Sequence, residues 1–166
     1  MFTDHSTAVS AALPGTAVPD GQGAGHEATG TLGRRGHVTT TQRWGAVLFA
    51  RDVARLTSFY AGTLDLLVVD RGEDWVVLES GGLQLVIHGL PPDVASAVDI
   101  AVPPVRRSSA AIKPVFFVRS IAKIRPVAAS LGGVMGGIGE QWSFQGTTVC
   151  DGLDPEGNVI QFRESA

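Results

Sequence analysis

The 166-residue chain is short of sulfur, of lysine and of long apolar runs. It has one cysteine, Cys150, and so no second thiol for an intramolecular disulfide. That fits a reducing, cytoplasmic setting. No apolar stretch is long enough to span a bilayer, so no membrane association is expected. The N-terminus lacks the basic-then-apolar order of a secretory signal. The net charge of −3 is scattered along the chain. No basic stripe offers itself to nucleic acid. Two lysines, Lys113 and Lys123, stand against eleven arginines, and alanine, glycine and valine are plentiful. That composition points to a GC-rich, bacterial source. The length is enough for one domain, or for two small modules sharing a core.

What is present begins near residue 43. Residues 1–42 hold one aromatic, Phe2, and show neither a period of 2 nor one of 3.6. They bury too little apolar surface to offset their ordering entropy and read as a flexible tail. Three of the four histidines, His5, His26 and His37, lie there at irregular spacing, without the pattern of a metal site. From Arg43 onward "WGAVLFA" predicts a strand, and Asp52 is placed to cap a helix carrying Val53, Leu56, Tyr60 and Leu64. Three extended runs follow, "LLVVDRG", "DWVVLES" and "LQLVIHGL", the last two joined by the Gly81-Gly82 hairpin signal.

The second half repeats that order. "VLFARDVARL" at 47–56 aligns with "VFFVRSIAKI" at 115–124, and Asp52 becomes Ser120, another residue suited to a helix cap. "GEDW" at 72–75 is echoed by "GEQW" at 139–142, which places Trp75 and Trp142 in equivalent positions, each at the start of a third strand. The agreement reads as an internal duplication. Pro126 is expected to kink the second helix or delay its start. The organisation expected is a first module over 43–90, a proline-rich connection over 91–112 and a second module over 113–166.

A tandem repeat of strand, helix and three strands resembles the vicinal oxygen chelate superfamily of glyoxalases, bleomycin-resistance proteins and extradiol dioxygenases. The closing "DGLDPEGNVIQF" resembles the Asp-Pro-x-Gly-Asn turn before that family's last strand. The fold so implied is α+β: tandem βαβββ modules forming a cup-shaped mixed sheet with helices on the outside. Paired modules, in one chain or across a homodimer, would enclose a small-molecule cavity; a homodimer is expected. Enzymes of the family hold a metal with His, Glu or Gln at four equivalent points. The matching positions here are Gly45 and Lys113 in the first strands and Val86 and Gln161 in the fourth. Glycine and valine offer no donor atom, and an ammonium has no lone pair. The resemblance therefore implies a member without metal and without cofactor.

Alternation supports that register. Leu83, Leu85 and Ile87 share one strand face and Gln84, Val86 and His88 the other; Ile160 and Phe162 oppose Gln161 and Arg163. Taken alone, the mixed faces read as solvated sheet surface. Under the resemblance they line the cup. Val47, Phe49 and Phe117 would be its apolar lining, with Gln84, His88, Lys113, Gln161 and Arg163 as polar groups. Lys113 and Arg163 together point to a carboxylate, phosphate or phenolate on the ligand. His88 reads as a general base, a ligand hydrogen-bonder or a strand-end surface residue. Trp142, like Trp75, reads as a core or dimer-contact residue or as a stacking platform for the ligand. Cys150 reads as an inert buried thiol, while alternation leaves the direction of Asp151 open.

Three functions are then in play. One is metal-free sequestration of a small, partly aromatic or anionic compound. A second is a metal-dependent lyase or dioxygenase with unusual ligands such as Gln84, His88 and Asp151. The third is a non-catalytic dimerisation scaffold. The missing metal donors favour the first, so the reading leans away from an enzyme.

Overall fold

The computed structural model describes residues 43–165. The tail assigned to 1–42 lies outside the described residues. Strand β1 (Trp44–Ala50) leads into helix α1 (Val53–Leu64), then β2 (Leu67–Arg71), β3 (Trp75–Ser80) and β4 (Leu83–Gly89). A six-residue helix α2 (Pro92–Ala97) sits in the connection. The second half runs β5 (Val115–Val118), α3 (Ile121–Ser130), β6 (Val134–Met135), β7 (Trp142–Phe144), β8 (Thr147–Leu153) and β9 (Val159–Ser165).

Each half builds its own mixed sheet. The first has strand order β1-β4-β3-β2, and the second β5-β9-β8-β6, with β7 also on β8. In both, the first strand lies parallel to the last, because the helix carries the chain back over the sheet, while the remaining pairings are antiparallel. The fold is thus the tandem α+β repeat that the sequence predicts.

The helices start for different reasons. Asp52 accepts a hydrogen bond from the Arg55 backbone N–H at 2.9 Å, a cap of about 1 kcal/mol. Ser120 occupies the matching position, but its hydroxyl caps nothing; the Glu164 carboxylate from β9 takes the Ile121 N–H instead, at 2.7 Å. Pro126 falls inside α3 without delaying its start at Ile121. The amide it lacks would have bonded to Ala122, an exposed residue whose carbonyl water can serve.

One core joins the halves. Leu56, Phe59 and Tyr60 of α1 pack with Leu78, Leu85 and Ile87 of the first sheet and with Phe116, Cys150, Ile160 and Phe162 of the second. Fully burying each such side chain stabilises the fold by about 1.5–3 kcal/mol. The Asp154–Asn158 turn completes the junction. The Tyr60 hydroxyl donates to Asp154 at 2.9 Å, and the Glu156 carboxylate accepts the backbone N–H groups of Arg51 and Asp52 at 3.1 and 2.8 Å.

The equivalence expected for the tryptophans does not hold. Trp75 opens β3 and opposes His88 on the last strand of its sheet. Trp142 opens β7, an outer strand, and opposes Val149 of β8. In the second half the outer strand is broken into β6 and β7 around a turn of 3-10 helix at Ile138–Glu140, which contains part of the "GEQW" motif. The tetrapeptides match in composition because both mark tight turns, not because they share a rung.

Candidate functional site

The apolar faces of both sheets turn to the shared core; on the mixed faces Phe49 and Phe117 are exposed, while Val149 and Gln161 are buried. Register makes them comparable. Phe49 opposes His88 in the first sheet, and Phe117 opposes Arg163 in the second. Val47 opposes Val86 as Val115 opposes Gln161. The duplication has kept the rungs and changed their chemistry.

On the first sheet the Phe49 and His88 rings are 5.9 Å apart. His88 Nδ1 lies 2.9 Å from the Gly89 carbonyl. A carbonyl only accepts, so that nitrogen carries a proton, leaving Nε2 as the acceptor of the neutral ring. Gln84 donates to Glu79 at 2.7 Å, and Arg43 pairs with the same carboxylate. The bond from Gln84, then that from Arg43, holds the Glu79 carboxyl below its ordinary value.

The second sheet carries a denser network. The Lys113 ammonium donates to both oxygens of Asp151, at 3.1 and 2.9 Å. Gln161 Nε2 donates to Asp151 at 3.0 Å, and Arg163 Nε donates to Gln161 Oε1 at 2.9 Å. The four side chains form one hydrogen-bonded row across β8, β9 and the approach to β5. Aromatic rings flank it. The Arg163 guanidinium carbon lies 4.7 Å from the Phe144 centroid and 5.9 Å from that of Phe117, and Lys113 Nζ is 6.0 Å from Trp142. A cavity of about 300 Å³ opens beside Trp142, Asp151, Glu140 and Arg106.

The candidate residues therefore fall into two groups: Phe49, Gln84 and His88 on one sheet, and Lys113, Phe117, Trp142, Gln161 and Arg163 on the other. Among the described residues no hydrogen bond, ion pair or ring contact joins the groups. Gln161 is buried, with 5% of its surface exposed, beneath its neighbours. Asp151 and Phe144 complete the second group. Phe144 was legible, since it shares parity with Trp142. Asp151 was not, because Val149, Cys150 and Gly152 around it are all apolar or small and give no alternation. Cys150 is buried, its thiol 3.5 Å from the Gly136 carbonyl, and burial pushes it above the ordinary thiol value.

No family profile matches the chain, and no curated protein matches its sequence. Solved structures do resemble it. A glyoxalase/bleomycin resistance protein/dioxygenase family enzyme from Burkholderia phytofirmans PsJN superposes with a TM-score of 0.58 at 17% identity, over 74% of this chain and 97% of that one. A bleomycin-binding protein solved with bleomycin gives 0.51 at 18% identity, over 76% and 100%. The fosfomycin resistance protein FosX from Listeria monocytogenes gives 0.54 at 12% identity, over 74% and 92%. The chain has the fold of the vicinal oxygen chelate superfamily.

That fold invites a metal, and the residues do not fit one. Of the four equivalent positions, Gly45 and Val86 have no donor atom. Lys113 places an ammonium there, tied to Asp151. The one oxygen of the set, Gln161 Oε1, already accepts from Arg163. A divalent ion would meet an ammonium already paired with Asp151, the Arg163 guanidinium beside it and a single neutral amide oxygen.

Proposed function

We propose that this chain is a metal-free binding protein of the glyoxalase/bleomycin-resistance type, sequestering a small, partly aromatic or anionic compound in the cytoplasm. The observation that carries the reading is the Lys113–Asp151 ion pair at 2.9 Å, standing where the family's enzymes carry a metal ligand. A structural neighbour is described as a bleomycin-binding protein in complex with bleomycin, and the role is transferred from such proteins as a proposal.

The ligand site is completed by a second copy. Each mixed face alone is open: Phe49 is 59% exposed and Phe117 69%. Apolar surface of that kind beside ordered polar groups is costly to leave in water and marks a contact region. A homodimer that sets the Phe49 face of one copy against the Phe117 face of the other covers both and encloses the compound. The lyase or dioxygenase alternative needs Gln84, His88 and Asp151 around one ion, and Lys113 engages both Asp151 oxygens. The scaffold alternative needs the dimer but no ligand.

The test is purification without chelator, followed by elemental analysis and a thermal-shift panel of antibiotics and aromatic acids. The binding reading expects substoichiometric metal and a rise in melting temperature with at least one compound. A stoichiometric ion removable by EDTA, with loss of stability, overturns it in favour of the enzyme. A dimer that responds to no compound overturns it in favour of the scaffold.

A further inference from the structure

We infer that Arg163 is the anion-recognising residue of the second sheet, and that the compound taken there is a planar aromatic carboxylate. The inference rests on the binding reading and adds the ligand's chemistry and the residue that selects it.

The charges on this face sort themselves. Lys113 and Asp151 neutralise each other in a pair donated to both carboxylate oxygens. Glu140, at the cavity, turns one oxygen back to the Gly137 N–H. Glu164, next to Arg163, faces the other side and caps α3. Among the described residues Arg163 has no carboxylate within ion-pair distance, and its one protein acceptor is the amide oxygen of Gln161. That bond uses Nε alone, so both terminal nitrogens keep their N–H groups free. A guanidinium so placed presents the two-pronged fork that a carboxylate accepts.

The fork is aimed. Gln161 holds Nε, Asp151 holds Gln161, and Lys113 holds Asp151, so the row fixes the guanidinium through two strands and the approach to a third. Phe144 and Phe117 lie against the guanidinium, while Trp142 flanks the other end of the row at Lys113. The two phenylalanine rings are exposed. They provide flat apolar surface within reach of one cation, which suits a ring bearing a carboxylate. The equivalent rung of the first sheet carries His88, which lacks the fork, so the two halves are not equivalent in anion recognition.

The experiment titrates the full chain with benzoate, benzamide and acetate, by calorimetry and by ligand-observed NMR. Benzoate is expected to bind about tenfold or more tightly than benzamide, its neutral counterpart, and than acetate, which lacks the ring. Arg163→Gln should bring benzoate down to the affinity of benzamide; Arg163→Lys, which keeps the charge and loses the fork, should fall between. Circular dichroism establishes that both variants are folded. Equal binding of benzoate and benzamide to the native chain, benzoate binding that survives Arg163→Gln, or no benzoate binding at millimolar concentration overturns the inference. Thermal shifts with neutral or cationic compounds under any of those results leave the binding reading standing; a silent panel removes both.

Discussion

Tyr60 of α1 donates its hydroxyl to Asp154, ninety-four residues on, at 2.9 Å inside the core. The same carboxylate accepts the backbone N–H groups of Glu156 and Asn158 and the Asn158 side chain. A turn that is locally polar is thereby buried without an unpaired acceptor. The bond ties the first helix to the last hairpin, so the duplicated halves fold as partners.

Burial, and then the Asp154 charge, raises the Tyr60 phenol well above its ordinary value. The stability this contributes is complete below the unfolded tyrosine's pKa of about 10 and is lost as pH rises through the higher folded value. Urea denaturation should show stability falling above pH ~10, with a shallower fall in Tyr60→Phe. Cys150, also raised, has the same sign, so Cys150→Ala in both backgrounds separates the two. The chain has one tyrosine, so tyrosinate absorbance should appear only as the protein unfolds.

Glu156, whose side chain is 1% exposed, accepts two backbone N–H groups at the β1–α1 junction and pairs with Arg107 at 3.6 Å. Glu156→Ala leaves those donors unpaired and should cost about 2–4 kcal/mol in chemical denaturation. Arg107→Ala, with its side chain partly in water, should cost under about 1 kcal/mol.

Two glycines of positive φ should respond differently to alanine. Gly81 has φ +60 and open space at its Cβ position, so Gly81→Ala should cost about 1 kcal/mol. Gly157 has φ +81, and a Cβ there would run into the Val105 carbonyl of the connecting segment. Backbone must shift to admit it, and Gly157→Ala should cost more than about 2 kcal/mol by the same measurement.

The proposed homodimer has its own test. Phe49→Asp places a charge at a residue that is 59% exposed in the single chain. Light scattering should show a dimer in the native chain and a monomer in the variant, with the fold kept by circular dichroism. A variant that stays dimeric argues for a different interface.

Much of the architecture was legible because it is written in local terms. Alternation separated Leu85 and Ile87 from Gln84 and His88, and Asp52 announced the helix that it caps. The "GEDW" and "GEQW" match misled because turn chemistry recurs wherever a turn is needed, whatever its rung. Ser120 misled because a competing acceptor, Glu164, comes from a strand forty-three residues beyond Ile121.

The amino-acid order alone determined the strand-then-helix opening of each half, the duplication, and the lack of donor atoms at Gly45 and Val86, since each depends on residue type and spacing. Tertiary structure decided which charges stay free. Lys113 and Arg163 are equally cationic on paper; packing β8 beside β9 brings Asp151 to the lysine, which is neutralised, and leaves the arginine held only by an amide. Charge in a sequence is a property of a residue, whereas charge at a site depends on what lies within a few ångströms of it.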